Sequence, residues 1–260
     1  MDVDQLRELA LREKPTLITL GGSLNLFEHP ISAVSSIAKE VGARLLFDAA
    51  HQCGLIAGKA WKNPLDLGAD VVTMSTYKSL GGPPGGAIVT NDTEIAEKID
   101  RIAFPGMTAN FDAAKSAALA VTMLDWKEFG KDYVTEMVLM SKTLASSLEE
   151  YGIPIFFGAL GHTQSHQFGV LAEEYGGGQK ASKLLRKCGF LACGIGLPVK
   201  ELGGDMNGLR FGTPELVRWG MKSKDSNRLA RLISKALKGQ TVKKEVSEWR
   251  KTFNKLHFIH

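Results

Sequence analysis

Five side chains in this sequence have the types and settings to do chemistry together: Ser23, Asp48, His51, Lys78 and Arg210. Lys78 lies between a short apolar run and the turn-rich Gly81-Gly82-Pro83-Pro84-Gly85-Gly86. A lysine there can be partly desolvated, which lowers its pKa toward the neutral amine that Schiff-base chemistry requires. Taken alone, it reads more simply as a solvated lysine in a turn. Asp48 closes Leu45-Leu46-Phe47. Its carboxylate can pair with a pyridinium nitrogen, making the ring an electron sink, or simply cap the next turn. His51 can stack on an aromatic ring or pack as a structural residue. Ser23 follows two glycines, and its hydroxyl with nearby amides can bind an anionic group or serve an ordinary turn. Arg210, ahead of Gly212-Thr213-Pro214, can grip a carboxylate through two parallel hydrogen bonds or join a surface salt bridge.

The elements that must position these residues follow from periodicity. Val3, Leu6, Leu9 and Ala10 share one helical face. Short apolar runs at 16–20, 43–47, 70–74 and 86–90 read as strands, and 31–41 as a helix stopped by Gly42. This alternation predicts an α/β layout with a largely parallel sheet. Ser23, Asp48 and Lys78 then lie at or just past strand carboxyl ends, where such sheets bind ligands. After Phe111 the pattern changes. Residues 113–129 and 132–150 read as two long helices, 153–157, 167–170 and 208–211 as strands, and 180–187, 225–237 and 242–256 as helices. The break between the two long helices, near Gly130, predicts two domains, 1–130 and 131–260.

Composition narrows the class. The chain has 260 residues, 44% apolar and 23% charged, with a formal net charge of +4. That is ordinary for a globular protein and lacks the clustered basicity of a nucleic-acid binder. Three cysteines, Cys53, Cys188 and Cys193, form no C-x-x-C pair. Neither a disulfide framework nor a zinc site is expected, and a reducing, cytoplasmic setting is the simplest reading. No apolar run approaches a membrane span of about 20 residues, and the acidic start Met1-Asp2-Val3-Asp4 argues against a signal peptide. The face Val242, Val246, Trp249, Phe253 and Leu256, ringed by lysines, fits a helix packed on its own domain better than one on a membrane surface.

Longer motifs join these residues into a family pattern. Asp48-Ala49-Ala50-His51-Gln52-Cys53-Gly54-Leu55-Ile56-Ala57, then Asp70 through Leu80 with Ser75-Thr76-Tyr77-Lys78-Ser79-Leu80, then Gly82-Pro83-Pro84-Gly85-Gly86, Phe104-Pro105-Gly106 and Gly208-Leu209-Arg210-Phe211-Gly212-Thr213-Pro214 follow in order. Together they resemble serine hydroxymethyltransferase, a fold-type I enzyme dependent on pyridoxal 5′-phosphate. The resemblance implies the C-terminal part of a large cofactor-binding domain over 1–130 and a small α+β C-terminal domain over 131–260. It makes Lys78 the Schiff-base lysine, Asp48 the partner of the pyridinium nitrogen and His51 the residue stacked on the ring. Ser23, Ser75, Gly85 and Gly86 would lie near the cofactor, and Arg210, with Ser23, would bind the amino-acid substrate.

The departures shape the expected function. Tyr77 stands where the family has a histidine before the lysine, and Pro84 replaces an arginine. Met107-Thr108-Ala109-Asn110 replaces a glycine-rich run. Cys193-Gly194-Ile195 occupies the place of an N-K-N whose last asparagine helps bind folate, which weakens the case for tetrahydrofolate. The family also has a long stretch before the position of Met1. Three readings follow. One is hydroxymethyl transfer between serine and glycine in one-carbon metabolism. The second is a folate-independent aldolase or transaldolase acting on β-hydroxy amino acids. The third is a subunit or remnant that needs an N-terminal partner. A homo-oligomer, or a complex with a separate N-terminal half, is expected by resemblance.

Overall fold

The structure, a computed structural model, describes residues 1–260. The chain divides into two compact units, Met1–Lys131 and Asp132–His260.

The first unit is built on a four-stranded sheet in the order β1 (Leu17–Gly21), β2 (Arg44–Asp48), β3 (Val71–Ser75), β4 (Gly86–Val89). β1, β2 and β3 are mutually parallel; β4 returns antiparallel to β3. α1 (Val3–Glu13) precedes the sheet and α2 (Ile31–Val41) links β1 to β2. Strand alternation explains the packing. Ile18 and Leu20 of β1 are buried while Leu17 and Thr19 are exposed. They join Leu45, Phe47 and Val72 in a core closed by Ile31, Val34, Ile37 and Ala38 of α2 and Ala10 of α1. α2 stops at Gly42 in the left-handed conformation, as its sequence predicts. Two helices of this unit escaped the sequence reading. α3 (Cys53–Ala57) is too short to show a period, and α4 (Thr93–Arg101) buries no residue.

The two long helices expected on either side of Gly130 are one, α5 (Ala113–Glu150). Gly130 is not a break. A Cβ there would stand 2.8 Å from Cε3 of Trp126, so glycine makes room for the indole one turn earlier. That accommodation outweighs the helix-propensity cost of about 1 kcal/mol.

The second unit holds an antiparallel three-stranded sheet in the order β5 (Gln167–Leu171), β7 (Gly208–Gly212), β6 (Cys193–Ile195). α6 (Gly178–Lys187), α7 (Pro214–Arg218), α8 (Ser226–Leu237) and α9 (Lys243–Arg250) complete it. The strand expected at 153–157 reduces to a single bridge between Ile155 and Val170, because Pro154 can accept but not donate in a ladder. The last helix ends at Arg250, whose Nη1 reaches forward to donate to the Phe253 carbonyl. Val246 and Trp249 are buried and Arg228 lies 4.5 Å over the Trp249 ring, so α9 is packed within its own unit. No helix is long and apolar enough to cross a membrane.

Candidate active site

Because β1, β2 and β3 are parallel, their carboxyl ends share one edge of the sheet. Gly21 and Asp48 are register partners there, and Asp48 in turn pairs with Thr73. The approach at this edge is tight: a Cβ on Gly21 would meet the Asp48 carbonyl oxygen at 2.2 Å. Gly21, with φ of 94°, turns the chain out of β1, and Ser23 is exposed just beyond. Asp48 is half-buried, and its Oδ1 accepts from the Ala50 backbone N–H at 2.9 Å. One carboxylate oxygen therefore fixes the side chain and the other makes no hydrogen bond within the protein.

Lys78 lies three residues beyond β3, and Ser79 ties its turn to the start of α3. Ser79 Oγ donates to the His51 carbonyl at 2.6 Å and accepts from the Gly54 N–H at 2.9 Å. Cys53 Sγ, from the same segment, donates to the Ser75 carbonyl at 3.4 Å. Burial pushes the Cys53 thiol pKa up, so it stays protonated and serves as a donor. These bonds join the segment that follows Asp48 to the segment that carries Lys78. Asp48, His51 and Lys78 are thus held at one sheet edge although 30 residues separate the first from the last.

The glycine-rich turn is secured from its other side. Thr76 Oγ1 donates to the Pro83 carbonyl at 2.6 Å, the Thr76 N–H to Gly85 at 3.1 Å, and the Gly82 N–H to Thr76 at 2.7 Å. Trp126 Nε1 donates to the Leu80 carbonyl at 2.7 Å. Gly85 and Gly86 are exposed, and Ser75 is the ladder partner of Gly86. Tyr77 is 54% exposed, and its ring centroid lies 5.9 Å from Lys78 Nζ. Arg210, half-buried, belongs to the second unit, where it pairs with Gly169 on one side and Cys193 on the other.

Ser79, Thr76 and Trp126 were not marked by sequence reasoning. Ser79 and Thr76 lie inside the motif around Lys78, which was the available signal; nothing near Trp126 pointed to Leu80, 46 residues away. Asn25 and His29 were also missed. Asn25 Nδ2 donates to the Gly22 carbonyl at 2.9 Å, and its Oδ1 lies 2.7 Å from His29 Nε2. With the amide so oriented, His29 Nε2 carries the proton. The pair braces the turn that presents Ser23.

A model of the serine hydroxymethyltransferase family matches residues 1–233. The chain belongs to the serine hydroxymethyltransferase family. It is 57% identical to an α-methylserine aldolase of Ralstonia sp and 53% identical to one of Variovorax paradoxus, each over all of this chain. It is 40% identical to the serine hydroxymethyltransferase of Sulfolobus acidocaldarius over 97% of the chain. The matches cover 60%, 59% and 60% of those relatives, so the chain spans about three-fifths of their length. The crystal structure of an L-threonine transaldolase from Pseudomonas fluorescens, in its internal aldimine state, superposes with a TM-score of 0.87 at 30% identity, over 97% of this chain and 57% of that one. The architecture is that of fold-type I enzymes.

Membership implies pyridoxal 5′-phosphate, and the residues present fit it. One sheet edge offers an amine, a carboxylate with an uncommitted oxygen and an imidazole, together with exposed glycines. That donor set matches an aldehyde, a pyridinium nitrogen, a flat ring and an anionic group.

Proposed function

We propose that this chain supplies the lysine side of a pyridoxal phosphate site that makes or breaks the Cα–Cβ bond of a β-hydroxy α-amino acid. The observation that carries the proposal is the Ser79 clamp, which brings the segments of Asp48, His51 and Lys78 to one edge. Lys78 Nζ would hold the cofactor's aldehyde carbon as a Schiff base. Asp48 would keep a proton on the pyridinium nitrogen, and His51 would stack on the ring. Ser23, Ser75, Gly85 and Gly86 would border the cofactor. When bound, the cofactor supplies an electron sink for the pair released at Cα. Lys78 would also be placed to take up and return a proton at Nζ. Tyr77 offers a hydroxyl beside it, and Arg210 binds and orients the substrate carboxylate.

Hydroxymethyl transfer between serine and glycine and folate-independent aldol cleavage share this machinery. Two observations favour the folate-independent version in this chain. Identity to the α-methylserine aldolases exceeds that to the hydroxymethyltransferase, and Cys193-Gly194-Ile195 replaces the folate-binding asparagine pattern. The setting is cytoplasmic. The active assembly contains a second copy of the chain, or a polypeptide supplying the length its relatives have beyond the match.

The test is spectroscopic. The chain with added pyridoxal phosphate should show a visible absorbance band that borohydride abolishes and that Lys78→Ala lacks. α-Methylserine, threonine or phenylserine should then be cleaved without folate. A band equally strong in Lys78→Ala would overturn the assignment of the lysine. Cleavage that appears only with tetrahydrofolate would favour the transfer reaction.

A further inference from the structure

The sheet of the second unit has two unlike faces. Phe168, Val170, Leu209 and Phe211 point one way into the apolar core, with Phe168 and Phe211 stacked at 5.4 Å. Period-two alternation sends Gln167, Arg210 and Cys193 the other way. Register fixes their neighbours: Arg210 stands directly between Gly169 and Cys193, and Gln167 is opposite Gly212. Gln167 is therefore the diagonal neighbour of Arg210, at roughly 7–8 Å, within the reach of two long side chains. Position 169, beside Arg210, and position 212, beside Gln167, are glycines, and at Gly212 an added Cβ would meet nothing nearer than 3.9 Å. No side chain at 169 or 212 crowds the arginine on this face.

Gln167 is 1% exposed, and its Nε2 has no hydrogen-bond partner in the protein. A buried donor without an acceptor is costly unless something else supplies one. A carboxylate has two oxygens and about four lone-pair sites, and a bidentate arginine uses two. We propose that Gln167 is a second carboxylate-binding residue, its side-chain N–H donating to the same substrate carboxylate that Arg210 grips. The inference rests on the reading of Arg210 as the carboxylate anchor.

Cys193 provides a readout independent of activity. It is the exposed cysteine, whereas Cys53 and Cys188 are buried, and it is the register partner of Arg210. The full chain is alkylated with iodoacetate, which carries a carboxylate, and separately with neutral iodoacetamide. The rate at Cys193 is followed by mass spectrometry. The native chain should favour iodoacetate relative to free cysteine. Gln167→Leu should cut that preference about tenfold, the scale of one hydrogen bond to a charged group, and leave the iodoacetamide rate unchanged. Gln167→Met, unbranched like glutamine, repeats the measurement should the leucine variant fail to fold. A preference lost in Arg210→Ala but intact in both Gln167 variants would overturn the role of Gln167 and leave the anchor standing. A preference unaffected by any of the three would overturn the anchor as well.

Discussion

Ser79 ties together two segments of the candidate site without itself carrying any of the proposed chemistry. Its hydroxyl is shared between the His51 carbonyl and the Gly54 N–H, so it joins the two segments that carry the candidate chemistry. In Ser79→Ala both backbone groups lose a buried partner, at a cost of about 1–3 kcal/mol. Urea denaturation should show that loss, and pyridoxal phosphate titration should show weaker binding than in the native chain. Unchanged affinity would mean that the clamp is structural only. Much of the candidate site was legible because fold chemistry and side-chain chemistry coincide in its motifs. Asp48 ends an apolar run, and Lys78 sits where a strand meets a glycine-rich turn. The bracing residues were not legible in the same way. Asn25 and His29 act through a carbonyl at Gly22, and backbone acceptors leave no mark on composition or period.

Elements whose periodicity matched their burial were readable from sequence; the others were decided by packing. β2 and α2 have buried faces that their apolar residues announce, and both formed as expected. Gly130 misled because a glycine weakens a helix and can mark its end, whereas here it admits the Trp126 indole. The same indole holds the Leu80 carbonyl, so a glycine on α5 supports the turn of Lys78. The connection from β1 to α2 has a pH dependence of its own. Burial, with a smaller push from the N-terminal ammonium, holds the His29 pKa below its ordinary value. Its imidazole packs edge-on against Phe47 at 5.8 Å. A histidine whose folded pKa lies below the unfolded value of about 6.5 leaves the unfolded state richer in protons between the two. Its neutral form therefore favours folding fully above pH 6.5, and that contribution falls as pH drops toward the folded pKa. Urea midpoints between pH 7.5 and 5 should decline less steeply in His29→Gln than in the native chain. Parallel profiles would show that His29 is not the group responsible.

The first unit, taken as a whole, leaves apolar surface that its own residues do not cover. Residues 101–118 are exposed throughout. Within that stretch Ile102, Phe104, Met107 and Phe111 are 59%, 52%, 79% and 75% exposed. β4 adds to this surface, since it ends the sheet and keeps Ile88 and Val89 exposed. Single exposed apolar residues are ordinary, but a concentration of them along one segment marks a surface that gains by being covered. An unpaired strand edge gains in the same way, because its free N–H and C=O groups seek partners. Either partner proposed above, another copy or a polypeptide supplying the length its relatives have beyond the match, would cover this surface. Both lead to one measurable expectation. Sedimentation velocity on the chain alone should show association that strengthens with concentration, and Phe104→Ser combined with Phe111→Ser should shift it toward monomer. Neither residue supplies a bond to the Lys78 turn described above, so whatever pyridoxal phosphate band the chain shows should survive the double substitution at high protein concentration. Loss of the band together with loss of association would place part of the cofactor site at the covered surface. A native chain that stays monomeric across the whole concentration range would show that these side chains do not drive assembly.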